Sequence, residues 1–168
     1  DTSGIDGILN QPLNYKRGDV MSNSQITFYI VEGETERKLI NTYKNTHIRS
    51  GRVSIFNLWD QKINNIERRF GIGSTIICIL DTDQRRGIAN LLKNIQILKD
   101  QRFKVIVFLQ NKNLEDEIIR SCSAVKNMTE IFNCPNNKVK KCFCEESNLK
   151  GKLEKAGFDI TKMWQEIN

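Results

Sequence analysis

Three short acidic motifs carry the chemistry this chain could do: Glu32-Gly33-Glu34-Thr35-Glu36, Asp81-Thr82-Asp83 and Glu115-Asp116-Glu117, each placed just after an apolar run of strand length. Two carboxylates at i and i+2 of an extended segment face one side, an arrangement that can bind one hard divalent cation or bridge two. Glu32 and Glu36 are four apart, so a helix that starts this early turns both side chains the same way, and Gly33 permits a tight turn or a close backbone approach between them. The third cluster could complete a second metal position through Glu115. So many acids at one edge of a basic protein are electrostatically costly unless a cation neutralises them. All-oxygen donors without a nearby histidine or cysteine favour Mg²⁺ or Mn²⁺ over zinc. Each motif also has a plainer explanation. Glu34, Glu36 and Glu115 to Glu117 would stabilise the dipoles of the helices they open. Asp81 and Asp83 resist that explanation, because acids are costly beside a buried strand.

The elements that must position these residues follow from periodicity. Residues 25–31 read as an apolar strand and 34–45 as a helix with Leu39, Ile40 and Tyr43 inward. Residues 52–58 alternate like a strand, and 61–70 carry Ile63, Ile66 and Phe70 at helical spacing. A continuous β-branched run at 75–80 predicts a strand buried on both faces, followed by a helix over 86–100. A fourth strand is expected at 103–109 and a fourth helix over 114–122. Such regular alternation predicts a parallel sheet with helices on both faces. In sheets of this kind ligands bind beyond the carboxyl ends of the strands, which is where the acidic motifs fall. After Ser123 the pattern loosens into a polar, basic stretch at 133–141, then short helices at 146–155 and 161–167. That tail is expected to pack on the sheet through Leu149, Leu153, Phe158 and Trp164.

The totals agree with one folding unit. At 168 residues, 39% apolar and 27% charged, the chain has the composition of an ordinary globular protein, long enough to bury a core without staples. Its longest apolar runs, 76–80 and 105–109, fall far short of the roughly 20 residues that span a bilayer, which argues against membrane insertion. Residues 1–20 show no periodicity and no secretory pattern, so they read as a disordered leader or remnant ahead of a single domain over 21–168, in a chain that stays in the cytoplasm. The formal net charge of +6 does not come from that prefix, where Lys16 and Arg17 face Asp1, Asp6 and Asp19. Such an excess points to a polyanionic partner, nucleic acid before anionic lipid, with plain solubility as the alternative. The five cysteines are odd in number and expected to be reduced thiols. Cys78 reads as core, and Cys134, Cys142 and Cys144 as structural, since they lack the paired spacing of a zinc site. The single histidine, His47, reads as a solvated surface residue.

The glutamate loop E-G-x-T-E after the first strand, the D-x-D after the third and the β-α alternation between them resemble the TOPRIM domain of topoisomerases, primases, OLD-family nucleases and small TOPRIM nucleases. The likeness covers about residues 25–122, with 123–168 as a basic, helical C-terminal extension. It implies a TOPRIM-like, Rossmann-like sheet of about four parallel strands. By that resemblance Asp81 and Asp83 would hold Mg²⁺, and Glu32 would bind metal or move a proton at the reacting oxygens. Glu36 and Glu115 would serve a second metal. Arg85 and Arg86 would clamp the neighbouring phosphate, while Lys112, Lys138, Lys140 and Lys141 would track the backbone, a solvated surface being their alternative. Glu36 and the Leu114-Glu115-Asp116 run look more like the OLD-type nucleases than like primases. The third aspartate common in topoisomerases and primases is replaced here by Arg85. The resemblance therefore implies a Mg²⁺-dependent nuclease acting on DNA or RNA, such as a phage-defence or toxin-like effector, working as a homodimer or with an ATPase partner. Two other classes stay open: a non-catalytic nucleic-acid-binding or regulatory subunit on the same scaffold, and a receiver-like module phosphorylated at Asp81, which lacks the expected pair of aspartates after the first strand.

Overall fold

The computed structural model describes residues 26–64, 70, 73–83 and 87–164. Four strands, β1 (Thr27–Val31), β2 (Arg52–Ile55), β3 (Thr75–Leu80) and β4 (Lys104–Leu109), form one sheet in the order β2-β1-β3-β4. All three pairings are parallel. Parallel neighbours need crossovers, and these are supplied by α1 (Glu34–Tyr43) between β1 and β2 and α2 (Ile88–Asp100) between β3 and β4. The chain continues through α3 (Leu114–Arg120), α4 (Met128–Phe132), α5 (Val139–Glu145) and α6 (Leu149–Lys155), with 3₁₀ turns at Asn136–Lys138 and Ile160–Lys162. Among the described residues no helix is long and apolar enough to cross a membrane.

Side-chain alternation along the strands divides the core in two. In register, Tyr29 faces Ile77 and Ile77 faces Ile106, and these pack with Val31, Ile79 and Phe108 against α1 and the C-terminal helices. The intervening residues Phe28, Ile30, Ile76, Cys78 and Leu80 point to the other face and meet Leu91, Ile95 and Leu98 of α2. Every residue of β1 and β3 is buried, as expected for central strands covered on both sides. The expected Rossmann-like arrangement is therefore present, with the C-terminal extension on the α1 face. Leu149, Leu153 and Trp164 join that core, and Phe158 packs against its margin. Cys78 is fully buried and its thiol is pushed up to about 12 by that burial. All five cysteines are free, and His47 is exposed.

Several sequence expectations are corrected. β2 ends at Ile55 rather than at residue 58, because Asn57 turns the chain: its side-chain oxygen accepts from the Trp59 and Asp60 amides. The helix expected over 61–70 does not begin at its described part, 61–64, and 65–69 lie outside the described residues. Two asparagines of α2 use up the backbone of that stretch instead. Asn94, buried, accepts from Ile63 N–H at 3.0 Å and donates to the carbonyls of Leu58 at 2.9 Å and Gln61 at 2.7 Å. Asn90 donates to the carbonyls of Leu58, Trp59 and Gln61. The stretch 133–141 is ordered rather than loose: α4, a 3₁₀ turn and α5 bring Phe132, Val139 and Phe143 into the core. α6 starts at Leu149, where the Asn148 side chain accepts from Gly151 N–H; in the described part of the last expected helix, 161–164, only Thr161 and Lys162 are helical, within the 3₁₀ turn Ile160–Lys162, and 165–168 lie outside the described residues.

Removing the Asn94 side chain strands the buried Ile63 N–H and takes one of two donors from the Leu58 and Gln61 carbonyls, which keep Asn90. Asn94→Ala is expected to lower unfolding stability by about 2–3 kcal/mol, measured by urea denaturation, with an unchanged denaturant slope.

Candidate carboxylate site at the sheet switch point

The chain leaves β1 towards β2 on one side and returns to β3 on the other, so the carboxyl ends of β1 and β3 flank the point where strand order reverses. Crossovers diverge there and leave a crevice, the usual ligand position in open α/β sheets. Glu32 follows β1 and Asp81 follows β3, and the parallel register holds them side by side. Asp81 N–H donates to Glu32 Oε2 at 2.8 Å across 49 residues of sequence. Glu36, one turn into α1 and only 5% exposed, reaches the same place. Its Oε2 accepts from the Thr35 hydroxyl at 3.1 Å. A Cβ at Gly33 would sit 3.1 Å from Glu36 Oε2, so a larger residue there would press on that carboxyl.

These acids open into a cleft of about 370 Å³ lined by Glu32, Gly33, Glu36, Asp81, Glu115 and, across from them, Lys140, Lys141 and Cys144 of α5. Burial raises the Asp81 carboxyl to about 8, reinforced by the charges of Glu32 and Glu36. Burial likewise raises Glu32, with Glu36 and Asp83 adding to it and the Asp81 amide opposing. Burial and the neighbouring Glu32 and Glu36 charges thus favour a protonated Asp81 at pH values below about 8. Burial also raises the Cys144 thiol, with Glu34 adding to the effect.

The remaining predicted residues divide. Asp83 is exposed and does not line the cleft, though its charge reaches Glu32. Its amide and that of Thr82 donate to the Lys112 carbonyl at 3.1 and 2.8 Å. Lys112 thus fixes the D-x-D loop through its backbone, while its side chain lies 4.0 Å from Asp116. Glu115 lines the cleft with Oε1 buried, without a hydrogen bond and 3.7 Å from the Lys140 ammonium. Lys141 pairs with Glu145 at 3.9 Å, and Lys138 is exposed outside the cleft lining. Arg85 and Arg86 lie outside the described residues. Glu117 belongs to the framework rather than to the cleft: it accepts from Asn111 N–H, the Arg120 guanidinium and Trp164 N–H.

One residue of the site has no signature in the sequence. Gln110, fully buried just after β4, donates from Nε2 to Asp81 Oδ1 and, at 3.4 Å, to Glu36 Oε1. Among the described residues no group of three or more His, Cys, Asp or Glu side chains is arranged to hold a metal ion. Carboxylate oxygens that a cation would use accept instead from the Asp81 N–H and the Gln110 amide. The donor set itself suits a hard divalent ion: carboxylate oxygens only, with more acid than its surroundings can keep ionised. Glu32, Glu36 and Asp81 are the residues that would hold it.

Because the native protein binds the Asp81 proton more tightly than the unfolded chain does, this group lowers stability as pH rises from about 4, its unfolded range, to about 8. In EDTA, the melting temperature of the wild type is expected to fall across that window relative to Asp81→Asn, and Mg²⁺ is expected to restore it at the alkaline end. An identical pH profile for the two proteins would show that Asp81 is not so perturbed.

No family model, curated protein or solved structure matches the chain, so its function has to be read from these residues.

Proposed function

We propose that the chain is a divalent-metal-dependent nuclease on a TOPRIM-like scaffold, hydrolysing phosphodiester bonds of DNA or RNA. The observation that supports this reading is the meeting of Glu32, Glu36 and Asp81 at the switch point, opposite lysines in the same cleft. When bound, Mg²⁺ or Mn²⁺ would orient the scissile phosphate and neutralise the charge that develops on it. The chain's own residues supply the rest. Glu32, whose carboxyl is raised by burial, could pass a proton to or from a reacting oxygen. Lys140 and Lys141 bring cationic charge to the wall facing the acids, where a phosphodiester backbone could lie between. Asp83 and Lys112 flank the other side of the β3 loop, followed in sequence by Arg85 and Arg86. A phage-defence or toxin-like role, a homodimer or an ATPase partner would be compatible with such an activity.

A second reading is a nucleic-acid-binding module without chemistry. It is favoured by Arg85 at the position where related patterns carry an aspartate, and by the lack, among the described residues, of three His, Cys, Asp or Glu side chains arranged to hold a metal ion.

Incubation with labelled DNA and RNA in Mg²⁺ or Mn²⁺ separates the two. Asp81→Asn and Glu32→Gln are each expected to reduce cleavage at least about a hundredfold while leaving the melting temperature in EDTA equal or higher. Tight binding with no product at any metal concentration would establish the module instead. Lys141→Ala is expected to weaken binding to all sequences alike and to reduce the magnitude of the salt-dependence slope by about one.

A further inference from the structure

Gln110 is the centre of a hydrogen-bond chain that the nuclease reading does not use. Its backbone is tied to the end of β3 in both directions: its N–H donates to the Leu80 carbonyl at 2.7 Å, and its carbonyl accepts from the Thr82 hydroxyl at 2.7 Å. The side chain therefore starts from a fixed point between β3 and β4. Which way the amide faces is decided by its partners. The indole N–H of Trp164 lies 3.1 Å from Gln110 Oε1, and an indole nitrogen can only donate. The oxygen of Gln110 must face Trp164, and its NH₂ must face Asp81 and Glu36. Two hydrogens meet two carboxyl groups, so each acid has its own donor.

Trp164 is itself fastened. Its backbone N–H donates to Glu117 Oε2 at 2.9 Å, and its ring packs beside Phe108. Arg120 binds Glu117 and also donates to the Lys162 carbonyl at 3.1 Å, which ties the last turn to α3. The amide is also the right type of donor. A lysine or arginine in this position would form ion pairs with the acids and repel a cation, whereas a neutral amide relieves carboxylate repulsion and adds no charge.

We propose that Gln110 is a positioning residue of the carboxylate cleft: Trp164 fixes the direction of its amide, and the amide holds Asp81 and Glu36 side by side in readiness for a divalent cation. The inference rests on reading the cleft as a cation site. It assigns the segment 159–164 a part in a site whose acids Glu36 and Asp81 lie far earlier in the sequence.

The test uses the whole chain and two readouts, Mg²⁺ affinity by titration calorimetry and the side-chain amide signals of Gln110 by ¹H–¹⁵N NMR. In ion-free wild type the Gln110 NH₂ protons are expected to exchange slowly with solvent. Trp164→Phe keeps a ring but loses the donor; it is expected to speed that exchange at least tenfold and to weaken Mg²⁺ binding about tenfold, the usual effect of removing a group that orients a ligand. Gln110→Met, of similar length, is expected to lose the same affinity, and the double variant no more than either alone, because both act in one chain of bonds. Trp59→Phe, in the opposite core, is the control and should bind Mg²⁺ like wild type. If Trp164→Phe does not fold, Gln110→Met alone decides by the same tenfold criterion. Affinities within twofold of wild type in an ion-binding protein would overturn the Gln110 inference and leave the cation reading standing. A wild type that binds neither Mg²⁺ nor Mn²⁺ while its Gln110 amide stays protected would overturn the cation reading, and the inference with it.

Discussion

Repulsion among carboxylates that the sheet forces together is the constraint on which the site depends. β1 and β3 are hydrogen-bonded neighbours, so the first residue beyond each must emerge next to the other, and both are acids. The first turn of α1 adds a third, Glu36. Water cannot screen them fully because Glu36 is buried and the Glu32 and Asp81 carboxyls are largely withdrawn from solvent. The structure answers with three devices: an Asp81 carboxyl raised to about 8, backbone donation from the Asp81 amide to Glu32, and the Gln110 side chain. None of the three brings a formal positive charge into contact with the acids, and the lysines stand on the facing wall.

This arrangement costs the fold stability that the two cores must offset. The sheet is well placed to do so, since every residue of β1 and β3 is buried and each face has its own apolar layer. The polar ties are equally consequential. Asn90 and Asn94 fasten 58–63 to α2, while Glu117 fastens the loop after β4 to Trp164. Buried side chains of this kind make one arrangement preferable to its near alternatives, because any shift strands donors and acceptors away from water.

How much of this could be read from the sequence depended on whether the signal was local. β3 matches its expected bounds because a continuous β-branched run leaves few alternatives, and the placement of Glu32 and Asp81 followed from strand ends alone. The stretch 61–64 misled because Ile63 does face the core, yet the backbone of Gln61 and Ile63 is claimed by asparagines some thirty residues away. α4 and α5 were hidden because each is short and set in polar residues, with Pro135 between them, so Phe132, Val139 and Phe143 never form a long stripe. Glu115 and Glu117 are the same residue type two positions apart, and only the helix decides that one faces the cleft and the other is sealed beneath Trp164. Gln110 carried no signal, since an amide acquires its meaning entirely from groups far along the chain.

The distance from Gln110 to its indole partner, 54 residues, has a consequence for synthesis. A chain made from its N-terminus can assemble β1 to β4 and bring Glu32 beside Asp81 while the residue that sets the amide is still unmade. The last hydrogen bonds around the acids therefore form after the sheet, when the ribosome has released Trp164. A nascent chain that stops short of Trp164 would carry its carboxylates without the indole that orients the Gln110 amide.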